Sequence, residues 1–202
     1  MTLALLASLI IFSLTLKHAL KRQSQKQSQV TQSFWERERQ SNSVRRKPLD
    51  NLAYITIPLD RFPIRLLEDN STVAECIEIL KTLSGLKIVN LTGYSNTDLK
   101  LEYGTANITA LTEYDQNYTL LVRTLQKWAD ILLEAGYTEE ATVLMEFAIS
   151  TRTDISRTYY ALAEIYASRM ENERIKTLLE AAEALPTLNK SSIVRRLQEF
   201  YL

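Results

Sequence analysis

The chain has 202 residues, 46% of them hydrophobic, and equal numbers of acidic and basic side chains; that composition excludes a disordered chain and fits one globular domain with an appended segment. The balance conceals an asymmetry, because residues 1–50 carry nine Lys and Arg against three Asp and Glu, whereas residues 51–202 carry fifteen against twenty-one. An acidic body repels phosphate backbones, so nucleic acid is not an expected partner. A single cysteine, Cys76, and a single histidine, His18, exclude an intramolecular disulfide and a multi-cysteine metal site, and no metal or cofactor is expected.

From Thr2 to Leu16 no residue is charged, and extension through Lys17 and His18 to Leu20 gives a helix of about 28 Å, which just reaches across a hydrocarbon core. Residues 1–22 therefore predict a transmembrane anchor, with a cleaved secretory signal as the competing reading. No Lys or Arg precedes the run, while Lys17, Lys21, Arg22 and Lys26 follow it. The positive-inside rule then predicts a single-pass protein with its domain in the cytoplasm, and this basic flank would meet anionic lipid headgroups. Five Asn-x-Ser/Thr triplets, at Asn70, Asn90, Asn107, Asn117 and Asn189, are either glycan acceptors on the opposite side or capping residues at helix starts.

Residues 23–50 form a polar and basic linker, with nothing to bury between Gln23 and Ser33; this is a solvated tether or a polar extension of the anchor helix. Trp35 either lies at headgroup level or packs on the domain. Residues 51–121 open with an extended piece, Tyr54 to Leu59, interrupted by Pro58. A helix over 72–83 is predicted by Val73, Ile77, Leu80 and Leu83 at three- and four-residue spacing, with Asn70, Ser71 and Thr72 before it and Gly85 after it. Residues 86–109 alternate apolar positions with Asn, Thr and Gly and are expected to form short irregular pieces.

Residues 122–202 carry the strongest internal pattern. At an offset of 34, Leu125 matches Tyr159, Trp128 Leu162, Ala129 Ala163, Leu132 Tyr166, Ala141 Ile175, Met145 Leu179 and Ala148 Ala182. Every pair is apolar or small. With Gly136 at a turn and Pro186 at the close of the second unit, residues 122–186 resemble a pair of tetratricopeptide repeats, and Ile193, Leu197 and Phe200 fall on one face of a capping helix. Generic helical bundles also contain such helix pairs. The resemblance implies a mostly α fold and a concave surface built from the first helix of each unit. Carrying the family's groove positions across gives Arg123, Gln126 and Asp130, then Arg157, Tyr160 and Glu164, as partner-binding candidates.

No residue set suits catalysis: Cys76 lies in an apolar helical pattern, His18 lies beside the anchor, and the four glycines never cluster. The function expected from sequence is thus a membrane-anchored, non-catalytic module that binds a protein or peptide. A structural subunit of a membrane complex and an extracytoplasmic repeat protein are the alternatives.

Overall fold

In the computed structural model, which describes the backbone of residues 2–201 and the side chains of residues 16–18, 20–23, 25, 27–29 and 31–201, the chain is helical apart from its loops and one isolated bridge, Tyr54 to Val89. The described helices are α1 (Thr2–Asn42), α2 (Ser71–Ser84), α3 (Asn96–Tyr103), α4 (Ile108–Glu134), α5 (Thr138–Ser150), α6 (Ser156–Ser168), α7 (Asn172–Glu183) and α8 (Lys190–Tyr201). They fall into two compact units, residues 1–47 with 95–108, and residues 48–94 with 109–202.

The first unit is α1 clamped to α3 by polar side chains. Glu38 takes Lys100 Nζ at 2.5 Å and the Thr97 hydroxyl at 2.6 Å, and Arg37 meets Asp98 at 2.5 Å. The Ser95 hydroxyl and the Asp98 carboxylate form a reciprocal capping box that starts α3. Asn107 is fully buried and saturated, accepting from Arg46 Nε and donating to the carbonyls of Lys47 and Tyr103. This packing requires Gly104, whose φ is +88° and whose position would drive any Cβ into the Arg45 carbonyl. Leu16, Leu20, Phe34 and Trp35 on α1 are exposed, Trp35 stacking edge-on against Phe34 with ring centroids 5.5 Å apart.

The second unit holds the apolar core. Asn70 caps α2 by accepting from the backbone N–H groups of Thr72 and Val73, and α2 buries Val73, Cys76, Ile77, Leu80 and Leu83. Ile57 from the extended segment and Phe62 just after it join them, and Phe62 stands edge-on to Trp128 and to Phe147. Leu121, Leu125, Trp128 and Leu132 on α4 recur at four, three and four residues and face the same core. Beyond α4, α5 packs on α6, α6 on α7 and α8, and α7 on α8. The turns before α5 and α7 both need a left-handed residue, which is Gly136 at φ +85° in one and Met170 at φ +57° in the other.

Three expectations are corrected. The side chains of the expected anchor up to Thr15 lie outside the described residues, and among the described residues no helix is long and apolar enough to cross a membrane. The physical reason is length: the charge-free run from Thr2 to Leu16 spans about 22 Å as a helix, against about 30 Å of hydrocarbon. The transmembrane anchor falls with it, and so do the single-pass cytoplasmic placement and the headgroup contacts of Lys17, Lys21, Arg22 and Lys26. Lys17, Lys21 and Arg22 are instead exposed on a 41-residue helix that runs on through the expected linker to Asn42; the Lys26 side chain lies outside the described ones.

The tetratricopeptide fold is corrected as well. Starts recur 34 residues apart, from Thr138 to Asn172 and from Ser156 to Lys190, but α4 has 27 residues where α6 has 13. The first expected unit therefore begins partway along one uninterrupted helix, and the two units are not equivalent. Finally, residues 86–109 are less irregular than expected, since they contain α3.

Ala129, Ala148, Ala163 and Ala182 are all at most 2% exposed. A larger side chain must displace a neighbour, so Ala163→Leu should lower stability by about 1–3 kcal/mol in thermal or urea unfolding. Gly104→Ala should cost about as much through its backbone conformation alone, read as faster amide exchange in α3.

Candidate functional site

Of the six groove candidates, the structure brings three together and leaves three apart. Gln126, only 9% exposed, donates to Asp130 at 2.8 Å and accepts the buried Thr158 hydroxyl at 2.5 Å. Arg157 Nε reaches both Asp130 oxygens, at 2.7 and 2.9 Å, and this carboxylate holds the guanidinium above its ordinary pKa. The network joins α4 to α6 and takes up Gln126, Asp130 and Arg157 Nε internally. Arg123 and Glu164 are exposed and Tyr160 half-buried, outside that network.

A concave site lies elsewhere, between α5, α6 and α7. Its volume is about 230 Å³, and Ile149, Leu162, Leu178 and Ala181 make its lining mostly apolar. One side is fixed by charge. Glu146 Oε1 accepts the Tyr166 hydroxyl at 2.7 Å and Arg174 Nη1 at 2.8 Å, while the Arg174 guanidinium lies 5.3 Å from the Tyr166 ring centroid. Burial first, then the neighbouring Glu146, raises the Tyr166 pKa. Arg174 Nε also stands 3.4 Å from Glu171. Thr177 lines the cleft with its hydroxyl bonded to the Glu173 carbonyl, so the polar groups there are already ordered. A pocket for a whole small molecule usually encloses about 300–1,000 Å³; this one suits a single side chain.

The cleft keeps its shape because the loop before α6 is tied down. Its carbonyls accept from Asn90 Nδ2 and the Tyr118 hydroxyl at Thr151, and from the Tyr159 hydroxyl at Thr153. Asn117 likewise donates to the Lys87 carbonyl. Four of the five Asn triplets are thus accounted for by Asn70, Asn90, Asn107 and Asn117 working inside the fold.

Sequence reasoning missed Glu146, Tyr166 and Arg174. Glu146 is a single acid in the apolar run from Val143 to Ile149 of α5, and only folding brings it to residues 20 and 28 positions further on. Cys76 is buried, and desolvation raises its thiol pKa, as a core position requires. Among the described residues no group of three or more His, Cys, Asp or Glu side chains could hold a metal.

No family model, no curated protein and no solved structure matches the chain. The tetratricopeptide resemblance therefore has no family match behind it, and the fold and cleft define only an all-helical domain.

Two outcomes follow from these geometries. Gln126→Ala leaves the buried Thr158 hydroxyl unpaired and should cost about 1–3 kcal/mol, whereas Arg157→Ala breaks an exposed pair worth about 0–1 kcal/mol; urea titrations compare them. Burial raises the Tyr118 hydroxyl from its ordinary 10 to about 12. The unfolded phenol ionises first, so this contribution is intact below pH 10 and is lost as pH rises towards 12. Tyr118→Phe should flatten that alkaline fall, measured as unfolding midpoints across the interval.

Proposed function

We propose that the chain is a non-catalytic recognition domain that takes one apolar side chain of a partner into the cleft between α5, α6 and α7. The carrying observation is the combination of an apolar cleft of about 230 Å³ with a polar side pre-ordered by Glu146, Tyr166 and Arg174. Pre-ordered walls reduce the entropy lost on binding, so even a small site yields usable affinity. Two further features favour binding over chemistry. The Tyr166 hydroxyl is held as a donor to Glu146, and Cys76 lies buried with a raised thiol pKa, so neither is poised as a nucleophile.

Filling the cleft tests this directly. Ala181 lines it without belonging to the fully buried core, so Ala181→Trp should occupy the space and leave the unfolding midpoint nearly unchanged. Peptides selected from a displayed random library on the wild-type chain should bind the Ala181→Trp chain about 10- to 100-fold more weakly, the value of one buried aliphatic side chain. Arg157→Ala should bind them as wild type does. Peptides that bind Ala181→Trp normally but lose affinity for Arg157→Ala would move the site to the α4–α6 face.

A further inference from the structure

We infer that the occupant of the cleft is a basic amphipathic peptide segment, an aliphatic residue entering the cleft with Lys or Arg on either side of it. This rests on the cleft being a binding site, and it is carried by where the acidic charge lies. Helix α5 bears Glu139, Glu140 and Glu146 and no base, while Glu171 with α7 gives four carboxylates against Arg174 and Lys176. Those two stretches alone hold five of the six excess negative charges of residues 51–202. Helix α6, by contrast, is balanced by Arg157 and Glu164. The two helices that flank the cleft thus carry more acid than base, with Glu139 alone taken up by Arg169 at the end of α6.

Arg174, the cation among the described residues that line the cleft, does not offset this excess. Arg174 is held between Glu146 and Glu171, and Glu146 receives both its hydrogen bonds at Oε1. Its Oε2 accepts nothing from the described residues and is open to a donor from outside. A small amine could satisfy that oxygen alone. Of the others, Glu139 is taken by Arg169 and Glu171 by Arg174, but Glu140, Glu173, Glu180 and Glu183 are spread along helices about 18–20 Å long, so a chain with several positive charges at peptide spacing answers more of them. Nucleic acid has the wrong sign. Arg174 on α7 reaches Glu146 on α5 at 2.8 Å, well within the Debye length of about 8–10 Å in physiological salt, so charges on the facing parts of α5 and α7 act together on an approaching chain. Such complementarity sets the association rate and the choice of partner, while the buried aliphatic residue slows dissociation.

The test uses the full chain and three fluorescein-labelled synthetic peptides of about 14 residues, long enough for some four helical turns. One alternates leucine pairs with lysine pairs, the second replaces every leucine by alanine, and the third replaces every lysine by glutamate. Fluorescence anisotropy should show the Leu/Lys peptide binding at least about tenfold more tightly than either control, and weakening about tenfold or more from roughly 50 to 500 mM salt. Glu146→Gln should weaken it several-fold and Ala181→Trp about tenfold or more, with circular dichroism and unfolding midpoints near wild type. Equal binding of the Leu/Glu peptide, lost in Ala181→Trp, would overturn the charge selection while leaving the cleft as a site. Equal binding of the Ala/Lys peptide would reduce the effect to unspecific ionic contact. If none of the three peptides responds to Ala181→Trp, the cleft itself is not the site. A dimer of the chain alone that Ala181→Trp dissociates, seen by sedimentation velocity, would make a second copy the occupant and overturn the inference too.

Discussion

Burial of four alanines on successive helices is the constraint on which the packing of residues 109–202 depends. Ala129 on α4, Ala148 on α5, Ala163 on α6 and Ala182 on α7 are almost wholly buried, in one core with the large side chains Trp128, Tyr159, Leu162 and Met145. Alternation of small and large residues across facing positions lets layers interdigitate at native density without off-rotamer strain. The buried tyrosines belong to the same arrangement. Tyr118 and Tyr159 each keep a hydroxyl in the core only because a loop carbonyl between α5 and α6 accepts it, and that bond fixes how α6 leaves α5.

The cleft follows from this packing. Inward positions of α7 are occupied by Ile175, Leu178 and Ala182, and the neighbouring Ala181 is too short to close the gap towards Glu146 and Ile149 on α5. One side of the space that remains is walled by a carboxylate, a phenol and a guanidinium that meet at Glu146 Oε1. The α4–α6 face differs. Gln126, Asp130, Arg157 Nε and Thr158 bond to one another, so that face supports stability, whereas the cleft retains an apolar hollow. Among the described residues, the first unit is held by charged and amide side chains such as Glu38, Lys100 and Asn107.

By itself the sequence determined the helical class, the extent of α2 from the spacing of Val73, Ile77, Leu80 and Leu83, the burial of Cys76, and the 34-residue recurrence of helix starts. These are local or periodic properties, and period and capping chemistry are written in adjacent residues. Helix α3 was legible too, in the Ser95-x-x-Asp98 capping signature, but the short alternating pattern around it suggested irregular backbone instead. The anchor was over-read because Lys17 and His18 had to be counted inside an apolar span, and the repeat family because matched apolar spacing does not reveal that α4 starts 14 residues before the expected unit. The site lay beyond sequence reasoning altogether. Glu146, Tyr166 and Arg174 are brought together by the α5–α6 and α6–α7 crossings, and the depth of the cleft is set by the gap those crossings leave. Hydrophobic periodicity says which face of each helix turns inward, but the distance between two helices depends on side chains from both, and that is why only the tertiary structure decided where this surface could bind.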